Sequence, residues 1–334
     1  MTPTAVIQPK PGIGDVIWHL PFIRAIAAVS PGRQVAFLAP PTSGARELLA
    51  AESSVAATIY FEHSGSELRR GLNLIRLARL LRHQRFLEIW ILDRTIRPAL
   101  AAFLAGIPKR IGVGLTAQRW FITNPGIDQS HFHEFPIAWL VTLLADMKVP
   151  LQSTEPDLRI KADALAAVGA KFVSCPRPWL VLGIGASHPD KEWPEACWAD
   201  LLAALRARHS GTVFLIGGSR HSTRAQNLLA GATTRHAINA CDLNLTEAAA
   251  LLWHADLFIG TDSGPLNLAA ATATEAFGMF GTTPMLTYSK FIHPIVPDGG
   301  PKPGGMHSIV PAQVLEQVEP YLSFQKRRGT SLNP

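Results

Sequence analysis

Paired cysteines and long apolar runs are both scarce in this sequence. The three cysteines, Cys175, Cys197 and Cys241, form no close pair. A disulfide framework or a zinc knuckle is therefore not expected, and a reducing cytoplasm fits best. No apolar segment reaches the roughly 18 residues that a membrane span requires, and the chain starts without the basic stretch and apolar core of a signal peptide. We therefore expect a soluble cytoplasmic protein.

Several functional signatures are also missing. The sequence has neither a Walker A motif nor a Gly-x-Ser-x-Gly turn, and the Gly-Ile-Gly segment at 12–14 is followed by Ile17 where a dinucleotide fingerprint has its third glycine. A nicotinamide-dependent oxidoreductase on a Rossmann frame is therefore a weak alternative. His131, His133 and Glu134 are of types that bind metals, but no further ligand has suitable spacing. We predict no metal and no cofactor.

The charge is positive overall and unevenly distributed. The formal net charge is +6, and the segment 66–120 has eleven Lys or Arg against three Asp or Glu. A basic face attracts polyanions, such as nucleic acid, an anionic membrane surface or a phosphorylated or carboxylated acceptor. Nucleic acid is disfavoured because no aromatic stacking pattern or recognition motif accompanies the charge. A pair of solvated arginine-rich helices explains the same charge equally well, so both interpretations stay open.

Apolar periodicity divides the chain into two similar halves. Both halves alternate short apolar runs with segments of helical spacing, which predicts parallel sheets with helices on both faces. Predicted strands cover 5–8, 34–39, 86–92, 110–114, 179–184, 212–218, 256–260 and 276–281, and predicted helices cover 15–29, 68–81, 98–105, 194–208, 222–230, 246–254, 265–273 and 311–324. The fold class is therefore α/β, with two Rossmann-like domains facing across a central cleft, because such sheets bind ligands at the carboxyl ends of their strands.

Between the two halves the pattern weakens. A length of 334 residues suits two domains, and four prolines stand in a polar setting where the halves meet. We predict a first domain over 1–155, a linker over 156–178, a second domain over 179–324 and a frayed tail over 325–334. The last helix of the second domain is expected to pack back on the first.

The turn from Gly260 to Pro265 has the features of an anion site. A buried strand runs into it, and a helix opens with Ser263 as a candidate N-cap and Pro265 in its first turn. Gly264 lets backbone N–H groups approach a ligand closely, and the helix start adds a partial positive charge. Asp262 fits such a turn only if it contacts hydroxyls or orders the loop. An ordinary capped helix after a strand is the alternative.

Two further loops in the second half follow predicted strands. The loop 183–194 carries Ser187 and Lys191, whose hydroxyl and ammonium groups suit phosphate oxygens. The loop after the next strand places Gly218 and Ser219 where they can approach a nucleotide. Each loop alone is better explained as an exposed turn, but the loop 183–194 and the turn 260–265 in the same half together favour a phosphate-bearing ligand.

The loop after the first predicted strand contains a candidate base. Asp15 stands at a helix start, where a carboxylate is also a good cap. As a functional group, it is placed to take the proton from an acceptor hydroxyl. His19, four residues on, shares the same helix face and is a candidate to orient the acceptor. A packed or surface histidine is the alternative for His19.

Taken together, these segments resemble glycosyltransferase family 9, the heptosyltransferases of lipopolysaccharide core assembly. The family's Gly-Asp-Val and Leu-Pro pair, its Lys-x-Trp-Pro motif and its Asp-Ser-Gly-Pro signature all find counterparts. The matching segments run in the family's order over most of the chain: 12–21, 92–97 with 105–112, 187–194, 255–270 and 280–284. The resemblance implies a GT-B fold, meaning two facing Rossmann-like domains, and an inverting, metal-independent glycosyl transfer.

The resemblance also implies roles for individual residues. Asp15 is the implied base. The donor-binding set, which includes the loops described above, is Ser187, Lys191, Gly218, Ser219, Asp262, Ser263, Gly264 and Thr283. The acceptor-binding set is His19, Arg94, Arg97, Lys109 and Arg110. The implied donor is ADP-heptose, and the implied acceptor is an anionic glycan or glycolipid of the lipopolysaccharide inner core, with peripheral contact at the inner face of the cytoplasmic membrane.

Three positions depart from the family's pattern. Asn267 stands where histidine is common, Glu275 replaces a frequent proline, and the loop around Ser219 lacks the acidic residue expected near a ribose. These departures leave two alternatives open, a transferase that uses another nucleotide sugar and a catalytically silent nucleotide-sugar-binding protein.

Overall fold

The computed structural model describes residues 3–62, 67–231 and 236–322. The chain divides into two compact units, Met1–Arg159 and Ile160–Pro334, called unit 1 and unit 2 below. Each unit contains one parallel sheet accompanied by helices, so the predicted α/β class with two Rossmann-like domains is confirmed. Within the described ranges, every helix is too short or too polar to span a membrane.

Unit 1 is built on a five-stranded parallel sheet with the order β3-β2-β1-β4-β5. Its strands are β1 (Thr4–Ile7), β2 (Val35–Ala39), β3 (Val55–Tyr60), β4 (Glu88–Ile91) and β5 (Lys109–Gly112). Its helices are α1 (Ile13–Val29), α2 (Ala45–Leu48), α3 (Glu67–Gln84), α4 (Ile96–Leu104) and α5 (Pro136–Asp146). Every residue of β1 and β2 is buried, as expected for parallel strands covered on both faces.

Aliphatic side chains of α3 and α4 form part of the unit 1 core. Leu77 and Leu81 of α3 pack in one buried cluster with Ala99 and Ala102 of α4 and with Ile89 of β4. The spacing of four residues between the two leucines places them on one face of α3. Burial of that face determines which side of α3 points away from the sheet.

Unit 2 has a six-stranded parallel sheet with the order β11-β10-β9-β6-β7-β8. Its strands are β6 (Trp179–Gly183), β7 (Thr212–Ile216), β8 (Ala237–Asn239), β9 (Leu257–Thr261), β10 (Glu275–Met279) and β11 (Ile292–Ile295). Its helices are α6 (Ala162–Lys171), α7 (Glu195–Arg208), α8 (Ser222–Gly231), α9 (Leu245–His254), α10 (Gly264–Ala271) and α11 (Pro311–Val318). The three central strands, β9, β6 and β7, end at neighbouring loops.

Two buried tryptophans anchor the loop between β6 and α7. The rings of Trp193 and Trp198 meet edge-on with centroids 4.9 Å apart, and both side chains are fully buried. The indole Nε1 of Trp193 donates a hydrogen bond to the carbonyl of Ile309 at 2.8 Å. Lys191 lies two residues before Trp193, so this packing sets the position of the loop that carries it.

Three strands and three helices were not predicted from the sequence. β3 lies at a sheet edge with every side chain partly or fully exposed, β8 has three residues, and β11 contains a proline. None of these strands has the buried apolar run that indicates a central parallel strand. The helices without a prediction are α2, α5 and α6.

The segment 156–178, predicted as a linker, lies in unit 2 from Ile160 onward. α6 occupies the middle of that segment and packs against α9. Phe172, directly after α6, is buried, and its ring contacts those of Trp179 and Phe214 with centroids 6.1 Å and 4.9 Å away. The prolines of this segment therefore flank a packed helix.

The last helix contributes to the core of unit 2. α11 packs against α7, and Val314 and Val318 are part of the buried core of unit 2. Its apolar face is thus used within unit 2, and its packing on the first domain stays a prediction. The predicted tail over 325–334 lies outside the described residues.

Candidate active site

The start of α1 holds Asp15 directly after the loop that follows β1. Asp15 Oδ2 accepts a hydrogen bond from the Gly12 backbone N–H at 3.1 Å, which makes the carboxylate a cap for the helix start. A Cβ atom at position 12 would lie only 2.5 Å from this oxygen, so a larger residue there would displace the Asp15 carboxylate. Asp15 Oδ1 accepts no hydrogen bond from the part of the chain that the structure describes.

The environment of Asp15 favours the protonated carboxyl. Burial raises the pKa of Asp15 above its usual value, while the charges of His19 and Lys10 act to lower it. A carboxylate with a raised pKa binds a proton more strongly than an exposed one, which is the property that a general base near neutral pH needs.

His19 is buried beneath Asp15. Its Nδ1 contacts the backbone carbonyl of Asp15, and its Nε2 lies 3.1 Å from the carbonyl of Leu92. Burial lowers the pKa of His19. Since both ring nitrogens face backbone carbonyls, the ring has no polar atom left for an acceptor. His19 thus links the start of α1 to the end of β4, and its contact with an acceptor stays a prediction.

A cavity of about 450 Å³ lies in unit 1 near the carboxyl end of β4. It is lined by Lys10, Asp93, Arg94, Thr95, Phe132, His133, Glu134, Pro136 and Trp139. Lys10 Nζ lies 3.4 Å from Asp93 Oδ2 and close enough to Asp15 to influence its pKa. Lys10 was not predicted as a site residue, although its position in the loop before α1 was the available signal.

The aromatic wall of this cavity holds Arg94 in place. The guanidinium lies over the rings of Phe132 and Trp139, with centroids 4.6 Å and 5.0 Å away, and Nη1 donates to the Phe132 carbonyl at 3.3 Å. Arg97 stands in the first turn of α4, half-buried, and makes no ion pair with any described residue. Arg94 and Arg97 thus both follow the carboxyl end of β4.

Lys109 and Arg110 lie at the amino end of β5, on the side of the sheet opposite the carboxyl ends of its strands. Lys109 opens β5 and is paired with Glu88 at 3.0 Å, which in turn is in register with Thr4 at the start of β1. Arg110 donates through Nε to the Phe121 carbonyl at 2.6 Å. Asp15 follows the carboxyl end of β1. The structure does not bring the two cations to that side of the sheet, because the amino ends of parallel strands all lie on the other side.

The loops of unit 2 bring three predicted donor residues together. Lys191 Nζ contacts Asp262 Oδ2 at 2.5 Å, and the Thr283 hydroxyl donates to the same oxygen at 2.8 Å. Lys191 and Asp262 are both largely buried, with side chains 26% and 13% exposed. Asp262 therefore orders the loops after β6 and β10, which is the second of the two functions considered for it from the sequence.

Ser263 occupies the N-cap position of α10 but does not cap it through its side chain. Its hydroxyl instead donates to the carbonyl of Thr261 at 3.0 Å. The amide of Asn267 donates to the Ser263 carbonyl at 2.8 Å, and the Tyr288 hydroxyl donates to the Asn267 side-chain oxygen. Backbone N–H groups at the start of α10 thus remain the groups offered to an anion.

The remaining predicted donor residues lie on exposed loops. Ser187 follows β6, while Gly218 and Ser219 follow β7, the neighbouring strand. Gly218 has a φ of 76°, a left-handed conformation that favours glycine. Glu275, the second departure from the family pattern, starts β10 and contacts His293 at 2.5 Å, away from these loops along the strand.

No group of three His, Cys, Asp or Glu side chains suited to a metal ion occurs among residues 3–62, 67–231 and 236–322. His131 Nδ1 pairs with Glu134 at 2.8 Å, and His133 lines the cavity of unit 1. Of the three candidate ligands considered from the sequence, His131 and Glu134 thus contact each other, and His133 lies in the cavity wall.

Comparison with known proteins gives matches along most of the chain. Lipopolysaccharide heptosyltransferase 2 of Escherichia coli K12 is 22% identical over 337 residues, which cover 93% of this chain and 96% of the relative. The structure of E. coli ADP-heptose LPS heptosyltransferase II has a TM-score of 0.74 at 24% identity and covers 96% and 98% of the two chains. The structure of E. coli heptosyltransferase WaaC with ADP-2-deoxy-2-fluoro heptose has a TM-score of 0.72 at 17% identity and covers 95% and 99%.

These matches agree with the order of the motifs and with the two parallel sheets. The model of glycosyltransferase family 9 (heptosyltransferase) matches residues 74–295, about two thirds of the chain. That stretch includes the cavity residues after β4 and the loops of Lys191 and Asp262. The chain is therefore a glycosyltransferase and belongs to family 9, the heptosyltransferases.

Proposed function

We propose that this enzyme transfers heptose from ADP-heptose, with inversion, to a hydroxyl of an anionic glycan or glycolipid such as the lipopolysaccharide inner core. The observation that carries the proposal is the state of Asp15. One carboxylate oxygen is held by the Gly12 N–H, the other has no partner among the described residues, and burial raises the pKa. These are the properties of a general base with a defined orientation.

In the proposed reaction Asp15 removes the proton from the acceptor hydroxyl. The acceptor oxygen forms a bond to the anomeric carbon while the bond from that carbon to the diphosphate oxygen breaks. The electron pair of the broken bond leaves on the diphosphate of ADP, and the proton stays on Asp15 until solvent removes it. Attack from the side opposite the leaving group inverts the configuration at the anomeric carbon.

The charge of the departing diphosphate is stabilised in unit 2. Lys191 supplies a positive charge, and the backbone N–H groups that begin α10 at Gly264 supply aligned donors. Asp262 holds Lys191 and Thr283 through one carboxylate oxygen, so we assign it a positioning role without direct contact to phosphate. Ser187, Gly218 and Ser219 remain candidates for the nucleotide, in agreement with their position after β6 and β7. No metal or cofactor takes part in this proposal.

An anionic acceptor fits the cations near the carboxyl end of β4. Arg94 is oriented by two aromatic rings, and Lys10 lies on the same cavity wall. Arg97 stands on the adjacent helix turn. We therefore assign acceptor binding to Lys10, Arg94 and Arg97. Lys109 and Arg110 are not included, because they lie at the amino end of β5 and contact Glu88 and the Phe121 carbonyl there. A lipid-linked acceptor would place the enzyme at the inner face of the cytoplasmic membrane.

The choice of ADP-heptose rests on relatives. A related heptosyltransferase structure contains ADP-2-deoxy-2-fluoro heptose, and another is named for ADP-heptose. The side chain of Asn267 is engaged by Ser263 and Tyr288, so its replacement of histidine does not by itself disrupt the start of α10. A thermal-shift comparison of ADP-, GDP- and UDP-sugars tests the donor. A clear preference for GDP or UDP would contradict the assignment while leaving the reaction class intact.

Asp15→Asn tests the reaction itself, because the amide keeps the cap geometry and loses the basic oxygen. Turnover should fall by about two to four orders of magnitude, whereas the donor affinity should stay within about twofold, since the donor residues lie in unit 2. Stopped-flow or discontinuous product assays and calorimetric ADP titration give the two values. Wild-type turnover in the variant would remove Asp15 from the mechanism, and absence of product from the wild-type enzyme in a single turnover would favour a silent binding protein.

A further inference from the structure

The outward face of α3 carries a stripe of arginine and aliphatic side chains. Leu72, Ile75, Arg76 and Arg79 follow one another at spacings of three, one and three residues, so they share one side of the helix. Leu72 and Ile75 are each 47% exposed, and both arginines are exposed. The buried side of α3, with Leu77, already supplies its contribution to the core, so the fold does not require aliphatic residues on the outward stripe.

Further exposed apolar side chains lie on elements that pack beside α3. α4 packs against α3, and it ends in Phe103 and Leu104, which are both exposed. The 3-10 turn Ala117–Trp120 packs against α4, and its last residue, Trp120, is 77% exposed. A tryptophan this exposed, next to exposed phenylalanine and leucine, is unusual for a surface that meets only water.

Arginine dominates the charge of this surface. The exposed arginines of α3 and its end are Arg69, Arg76, Arg79, Arg82 and Arg85. The sequence has no Asp or Glu from 69 to 87. A merely solvated helix typically mixes both signs of charge, and it has no reason to expose large apolar residues among them. Arginine with exposed Leu, Ile and Trp is the composition of helices that lie in the interface of an anionic bilayer.

We propose that α3, the end of α4 and the turn at Trp120 form a surface that binds an anionic lipid bilayer, called the basic apolar surface below. The arginines contact headgroup phosphates, and Leu72, Ile75 and Trp120 enter the boundary between headgroups and acyl chains. The proposal extends the proposed function by naming the surface through which the enzyme reaches a lipid-linked acceptor. It rests on the proposed function only for the reason why the enzyme would bind a membrane.

Vesicle binding of the full chain tests the proposal without any need for activity. The protein is sedimented with phosphatidylcholine vesicles that contain or lack phosphatidylglycerol. Binding is expected only with phosphatidylglycerol, and it should weaken as salt is raised, because surface charges are screened. Arg76→Glu with Arg79→Glu should lower the partition coefficient by at least about tenfold. Leu72→Ser with Ile75→Ser should lower the binding that remains at high salt.

A matched control separates a specific surface from overall charge. Lys161→Glu with Lys302→Glu changes the net charge by the same amount at exposed positions of unit 2, and it should leave the partition coefficient within about twofold. All variants should retain the wild-type melting temperature and full turnover with a water-soluble, deacylated acceptor. If the wild-type enzyme gave no turnover with this acceptor, the proposed function would be overturned, while the vesicle result would still test the membrane surface.

Several outcomes would overturn the proposal. Equal binding to neutral and anionic vesicles would contradict the role of the arginines, and equal losses in the matched control would show that only net charge matters. Binding to a duplex oligonucleotide that is lost in the Arg76→Glu, Arg79→Glu variant, together with no binding to vesicles, would assign the surface to nucleic acid.

Discussion

The two oxygens of the Asp15 carboxylate are in different situations. Oδ2 accepts the Gly12 N–H and closes the first turn of α1, whereas Oδ1 is left without a hydrogen bond from the described residues. A carboxylate held at one oxygen keeps its rotamer, so the other oxygen has a defined direction before an acceptor arrives. Cap and proposed base are therefore compatible functions of one side chain, although the sequence presents them as alternatives.

The pH dependence of the enzyme should report the surroundings of Asp15. As pH falls, kcat/KM should fall when Asp15 becomes protonated. Because burial raises the pKa of Asp15, this acid limb should lie above the usual aspartate range. The positive charge of Lys10 stabilises the carboxylate form. Lys10→Met should therefore raise the pKa further and move the acid limb to higher pH, which a pH–rate profile measures.

Lys302→Met provides the control for this experiment, because Lys302 is an exposed lysine of unit 2. Its acid limb should coincide with that of the wild type. Lys10→Met is also expected to weaken acceptor binding, which lowers kcat/KM at every pH. The diagnostic quantity is therefore the pH at which the acid limb falls, not the maximum of kcat/KM. An acid limb that stays in place in Lys10→Met would assign it to a group other than Asp15.

Which site residues can be predicted from sequence depends on how local their environment is. Asp15 could be proposed as a candidate base because a strand, a glycine turn and a helix start are adjacent in the chain. The burial of His19 against the Leu92 carbonyl depends on a residue 73 positions away. Likewise, the pair that Lys109, a predicted acceptor-binding residue, makes with Glu88 depends on the register of β4 and β5. Contacts between distant segments of this kind leave no mark in the local pattern.

At the scale of elements, burial decided what the sequence could show. Central strands such as β1 and β9 are buried at every position and read as apolar runs. The edge strand β3 mixes exposed and partly buried residues, and α6 lies among prolines that indicate a linker. The elements that carry Asp15, Lys191 and Asp262 were therefore predicted, whereas α5 in the wall of the unit 1 cavity, the strands at the sheet edges and the start of unit 2 were missed.

An ion pair between α1 and the segment that follows α2 should stabilise unit 1. Arg24 donates through Nε and Nη2 to Glu52 Oε2 at 2.9 Å and 2.6 Å, and the Ser54 hydroxyl donates to Glu52 Oε1 at 2.8 Å. Glu52→Gln removes the buried charge partner of Arg24 and leaves it, among the described residues, only the pair with the exposed Asp157 at 3.5 Å. We expect a loss of about 2–3 kcal/mol in the free energy of unfolding, measured by urea denaturation near neutral pH.

The pH dependence and an exposed pair serve as controls. Burial acts to raise the pKa of Glu52, but Arg24 and Ser54 outweigh it, and the pKa lies below its usual value of 4.5. The stabilisation by the charged form is thus complete above about pH 4.5 and is lost as pH falls through the lower folded-state pKa. Glu319→Gln, which breaks an exposed 3.4 Å pair with Arg208, should cost less than about 1 kcal/mol. Equal costs for the two variants would contradict a special role of Glu52.

At the scale of the whole molecule, the two units have separate cores and separate sets of proposed site residues. The core of unit 1 includes Ile89 and Leu81, and that of unit 2 includes Trp193 and Val314. The proposed donor residues all belong to unit 2, and the proposed base and acceptor cations all belong to unit 1. A ligand that binds only the native form of one unit should therefore raise the unfolding free energy of that unit more than that of the other.

Calorimetry with ADP tests this division. At 100 times its dissociation constant, ADP should add about 2.7 kcal/mol to the stability of unit 2 and raise the midpoint of one unfolding transition by roughly 5–10 °C. Lys191→Met should abolish most of that shift at the same ADP concentration, because it removes the charge nearest the proposed diphosphate site. Glu52→Gln should lower the other transition and leave the ADP-dependent one in place. If Glu52→Gln and ADP moved one common transition, the units would unfold together, and if ADP moved the transition that Glu52→Gln lowers, the nucleotide would bind unit 1.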